Sequence, residues 1–103
     1  MSELFDKRAK FSSLIPRLLD QMISDGYTPL IGKDGLKHME GSLHFEGLAM
    51  DVDLFKDGVY LPRTEDHAKF GQFWKMLDKD CAWGGDFNPP DGNHYSICFG
   101  GKK

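Results

Sequence analysis

At 103 residues the chain has room for one domain, residues 1–103, and not for two, since domains cluster near roughly 100–150 residues. An apolar fraction of 40%, an aromatic fraction of 13% and a formal net charge of −3 describe a globular protein without the basic field that nucleic acid requires. No apolar run approaches the roughly 18–20 residues that span a bilayer, and the N-terminal stretch Met1–Phe11 carries acidic residues instead of an apolar signal segment. The expectation is a protein made in a cytoplasm, with no membrane insertion and no nucleic-acid partner. Cys81 and Cys98, the two cysteines, are expected as free thiols.

In chain order, Phe11, Leu14, Ile15, Leu18, Leu19, Met22 and Ile23 follow the three-and-four spacing of an amphipathic helix. Ser12 or Ser13 is the predicted cap, giving a helix over Ser13–Asp25 with Pro16 in its first turn, where a missing amide hydrogen costs no helical bond. Gly26 is the predicted stop. Tyr27–Ile31 reads as a short strand, and Gly32–Gly41 as a polar loop. Leu48, Met50, Val52 and Leu54 then alternate with Ala49, Asp51 and Asp53, so the strand has an oily face and a face with two carboxylates. Asp57-Gly58 predicts a hairpin turn returning through Val59, Tyr60 and Leu61.

Thr64 is the predicted N-cap of a second helix, Thr64–Lys79, with Glu65 and Asp66 where the dipole favours negative charge. Phe70, Phe73, Trp74 and Leu77 form its inward stripe. From Trp83 to Asn93 the density of Gly, Pro and Asp predicts loop. Tyr95, Ile97 and Phe99 alternate with His94, Ser96 and Cys98 in a final strand. The class these elements define is α+β: a small, mainly antiparallel sheet with both helices on its oily side.

With the apolar sets facing the core, Asp51 and Asp53 take the open face of one strand and His94 that of the other. If the two strands pair, aspartate and histidine meet. His44, seven residues before Asp51, has the wrong parity for that face on a straight strand, but Gly47 can turn the backbone between them. Two imidazoles, one carboxylate and a water in the fourth position make up a catalytic zinc site. A solitary histidine is more often structural, and His38 and His67 are read so, as are the carboxylates of Glu46 and Asp53.

The run Ser42-Leu43-His44-Phe45-Glu46-Gly47-Leu48-Ala49-Met50-Asp51 resembles the S-x-H-x-x-G-x-A-x-D motif of the zinc D-Ala-D-Ala carboxypeptidase and L-alanyl-D-glutamate endopeptidase family. Trp83-Gly84-Gly85, then Asp91-Gly92-Asn93-His94-Tyr95, is similar to the W-G-G motif and the D-x-x-H-aromatic motif that follow in that family. The resemblance covers most of the chain and lies nearest the compact phage endolysins. It implies the hedgehog/D-Ala-D-Ala peptidase-like fold, one Zn²⁺ per chain on the sheet's open face held by His44, Asp51 and His94, and Asp91 as general base and acid. Asp86 is the rival acid, assigned instead to shaping its loop, and Trp83 is expected to pack that loop against the core.

The arginine that the family places upstream of the first motif has no counterpart in Gly32–Gly41, where Lys33 and Lys37 are the cations; a lysine lacks the guanidinium's bidentate geometry. What the resemblance implies functionally is a monomeric L-alanyl-D-glutamate endopeptidase acting on peptidoglycan stem peptides, synthesised in a host bacterium's cytoplasm and reaching the wall after release. A D-alanyl-D-alanine carboxypeptidase or dipeptidase, or a non-catalytic zinc-binding module of the same fold, are the alternatives.

Overall fold

The computed structural model describes residues 2–32 and 47–103. His44, with Ser42, Glu46, His38, Lys33 and Lys37, lies outside the described residues. The elements are α1 (Glu3–Ser24), β1 (Thr28–Ile31), β2 (Ala49–Lys56), β3 (Val59–Tyr60), a 3₁₀ turn (Thr64–His67), α2 (Ala68–Leu77), β4 (Cys81–Trp83), a second 3₁₀ turn (Gly84–Asp86) and β5 (His94–Ile97). The class is α+β, as expected. All strand pairings are antiparallel, in the order β1-β2-β5-β4 with β3 on β2.

Helix α1 starts ten residues before the predicted Ser13. Ser2, not Ser12 or Ser13, is its cap, its side chain accepting from the Phe5 amide at 3.1 Å. Pro16 therefore sits inside the helix, where an interior proline costs about 3 kcal/mol relative to alanine. Burial of Phe11, Leu14, Ile15, Leu18 and Met22 on one stripe outweighs that cost. The added N-terminal turns are tied down by charge: Lys7 reaches Asp80 at 2.6 Å, and Lys10 reaches Asp78 at 3.2 Å and Asp80 at 3.0 Å. Lys7 and Lys10 hold the Asp80 carboxyl below the ordinary aspartate range, and the Asp80 amide, aided by Lys10, does the same for Asp78. At the other end Gly26, at φ +92°, takes the left-handed conformation that follows a helix.

Leu48, Val52 and Leu54 are fully buried, and so are Tyr95 and Ile97, so the alternation in both strands points where the sequence pattern predicts. They pack with Phe70 and Trp74 of α2 and the α1 stripe in one core. Asp57 (φ +52°) and Gly58 (φ +79°), both in the left-handed backbone region, make the two-residue hairpin turn whose twist matches the right-handed twist of the flanking strands.

Three boundaries differ from expectation. The second helix opens with a 3₁₀ turn and ends at Leu77, two residues short of Lys79. Its N-cap is Arg63, whose amide donates to the Asp66 carboxylate at 3.1 Å, so Thr64 is not the cap. The predicted loop is partly regular, because Trp83 closes strand β4 and Gly84–Asp86 is helical; a three-residue strand is too short to show a period. The last strand ends at Ile97, and Cys98 continues as backbone pairing to Asp80 at 2.9 Å.

Candidate metal centre

Asp51 and His94 are direct cross-strand partners. Backbone bonds run from Val52 N–H to Asn93 O and from Ile97 N–H to Leu48 O, both at 2.9 Å, so bonding falls on the alternate pairs and Asp51–His94 is a non-hydrogen-bonded pair. Such pairs hold their side chains closest. His94 Nδ1 and Asp51 Oδ1 are 3.8 Å apart, too far for a hydrogen bond. Zinc bonds of about 2.0–2.2 Å put two ligands of one ion about 3.4 Å apart at a tetrahedral angle and up to about 4.2 Å apart when opposed. The observed separation falls inside that range.

Asp91 completes a cluster. One ligand atom from each of Asp51, Asp91 and His94 lies within 4.8 Å of the others, two carboxylates and an imidazole being a donor set suited to a divalent cation. Asp51 is partly exposed, Asp91 exposed and His94 buried, so the cluster opens to solvent on the Asp91 side. His94, at 6% exposure, and Ser96, at none, are buried on this face of β5, so the exposed edge of the cluster is Asp91. Ser96 has Ala49 and Ala82 as its register partners on the neighbouring strands.

The W-G-G residues build the turn that carries Asp91 and His94. Trp83 is 5% exposed, and its indole N–H donates to the Gly92 carbonyl at 2.7 Å. Gly84 O accepts from the Asp91 amide at 2.8 Å. A β-carbon at Gly84 would fall 1.9 Å from Asp91 O and 2.7 Å from the His94 β-carbon, so only glycine lets the turn seat. Gly71 and Gly85 leave the room that the Trp83 ring fills, each lacking a β-carbon that would lie within 2.2 Å of it. The Phe87 ring rests 5.1 Å from the His94 imidazole and limits its rotation. Trp83 thus packs its loop, as expected.

Asp86 points elsewhere, pairing with Lys75 Nζ at 2.7 Å, and is not in the cluster. Asp53 is two residues from Asp51 and opposite Leu30 of β1, also outside it. Gly47, at φ +75°, has the left-handed backbone expected of the pivot before β2. His67 is a satisfied core residue: it is 2% exposed and its Nδ1 lies 2.7 Å from the Tyr95 hydroxyl. Burial lowers its pKa against the opposing pull of Asp66 and Asp53, and burial pushes the Tyr95 phenol up. Cys81 and Cys98 are unbridged thiols; burial raises Cys81 to about 12, and neither belongs to the cluster.

The sequence pattern missed Thr64 as a site residue, because its hydroxyl accepts from the Gly92 amide at 3.2 Å across 28 residues. Nothing local signals such a bond. No helix among the described residues is long and apolar enough to cross a membrane. Comparison with models of protein families and with curated proteins finds no match for the chain.

Proposed function

We propose that the chain is a zinc peptidase of the D-Ala-D-Ala carboxypeptidase and L-alanyl-D-glutamate endopeptidase type, cutting peptidoglycan stem peptides as a phage endolysin does. The observation that carries this reading is the register of β2 on β5, which sets Asp51 beside His94 with Asp91 within 4.8 Å. In it Asp51 and His94 hold the ion, His44 is the third ligand, and Asp91 is not a ligand. Bound zinc would supply a Lewis acid for the peptide carbonyl and acidify a water. The exposed Asp91 carboxylate takes the proton of the attacking water and returns it to the departing amine, a role that needs an ionisable group within reach of both. The turn held by Trp83 and Gly84 fixes the backbone from which that carboxylate projects. The protein acts as a monomer, is synthesised in the host cytoplasm and meets its substrate after release to the wall.

Mass spectrometry of purified peptidoglycan digested by the zinc-loaded protein tests this. New amino termini on D-glutamate are expected, abolished by a chelator and restored by zinc. Release of terminal D-alanine would assign the carboxypeptidase activity instead, and an unaltered digest with zinc bound would leave a non-catalytic module.

A further inference from the structure

The turn Asp91–His94 is gripped from a third direction. Thr64 and His67 begin and end one 3₁₀ turn, and in that geometry residues three apart eclipse each other. The two therefore face the same neighbour. Thr64 Oγ1 accepts from the Gly92 amide at 3.2 Å, next to Asp91; His67 Nδ1 meets the Tyr95 hydroxyl at 2.7 Å, next to His94. The first contact is close-packed, since a β-carbon on Gly92 would lie 2.5 Å from the Thr64 α-carbon. With Arg63 and Asp66 capping the helix between themselves, the Thr64 hydroxyl is left for the turn. The backbone of Gly92 is thus held on both sides of its α-carbon, its N–H by Thr64 and its C=O by Trp83.

We propose that the 3₁₀ turn Thr64–His67 is a bracket that sets the spacing of Asp91 and His94, with Thr64 as a positioning residue for the metal centre. The proposal rests on the zinc reading of that centre. Opening the bracket at Thr64 lets the Gly92 peptide move, and with it the two cluster members on either side.

The test uses Thr64→Val, which keeps the shape and loses the acceptor, and Thr64→Ser, which keeps the hydroxyl. In folded protein, the Gly92 amide of Thr64→Val should exchange with solvent on the order of tenfold faster than in the parent. Zinc affinity, measured against a competing chelator, should fall about tenfold, the low end for residues that support metal ligands. Thr64→Ser should restore both within about twofold. Should Thr64→Val not fold, Thr64→Ala provides the same comparison with a smaller side chain. Unchanged Gly92 exchange in the variant would overturn the bracket, as would unchanged zinc affinity. If the parent itself binds no zinc, the metal reading fails, and with it the bracket's role at a metal centre, while Gly92 exchange still reports whether Thr64 holds the turn.

Discussion

One strand, β2, crosses two unlike halves of the sheet. Its first residues, Ala49–Asp51, pair with β5, where Tyr95, Ser96 and Ile97 are fully buried. Its last residues pair with β1 and β3, where Leu30, Ile31, Val59 and Tyr60 are 51%, 63%, 60% and 49% exposed. Asp51 and Asp53 share one face of this strand, yet they meet different worlds. Asp51 has His94 on one side and on the other Gly32, where any β-carbon would press on the Asp51 β-carbon at 3.0 Å. Asp53 has Leu30. Parity assigns a residue to a face, and the pairing partner then decides whether it belongs to a site.

The largest expected effect follows from that contrast. Asp51→Ala should lose zinc binding by at least about 100-fold, as removal of a ligand does more than removal of a supporting residue, while Asp53→Ala should bind as the parent does. Elemental analysis of the two dialysed proteins checks it; equal zinc in both would erase the distinction between the halves.

Next comes packing. Gly84→Ala thrusts a methyl to 1.9 Å from Asp91 O and should destabilise the fold by about 3 kcal/mol, the upper end for overpacking. Gly58→Ala in the open half meets nothing within 4 Å and should cost about 1 kcal/mol, for its positive φ alone. Denaturant midpoints of the two variants measure the gap, which vanishes if the turn is not tightly seated.

A smaller effect is the response to acid. Burial lowers the folded-state pKa of His67 below 6.5, so in the window below that value the unfolded chain takes up a proton that the folded chain refuses, and stability falls as pH falls. His67→Gln should flatten this limb. Asp80 contributes later: its folded pKa is depressed from 3.8, so its stabilisation is present above that value and is lost as pH falls further below it. Denaturation of Asp80→Asn against pH should therefore depart from the parent least in strong acid. The smallest change is Val59→Thr on the exposed hairpin, expected within about 0.5 kcal/mol by thermal melting.

Much of this architecture was legible in the sequence. The two alternating strands, the Asp57-Gly58 hairpin and the oily stripe of α2 announce themselves because each obeys one local period or one turn chemistry. Asp51 and His94 could be placed on a common face by parity, and the resemblance chose them over Asp53. What stayed hidden depends on distant partners. The first turns of α1 hang on Lys7 and Lys10 reaching Asp78 and Asp80, some 70 residues on, and β4 is too short for any period. Thr64 carries the signal of a helix cap, a local rule that a bond to Gly92 overrides.

The most direct measurement is hydrolysis of purified peptidoglycan by Asp91→Asn at saturating zinc. The substitution is nearly isosteric and cannot accept a proton. If Asp91 moves the proton beside the ion, the variant should bind zinc as the parent does and hydrolyse about 10²–10⁴-fold more slowly, the usual contribution of a general acid–base residue. Near-native hydrolysis by the fully loaded variant would contradict the account, and a rate that rose to the parent's as zinc was added would make Asp91 a brace for the metal instead.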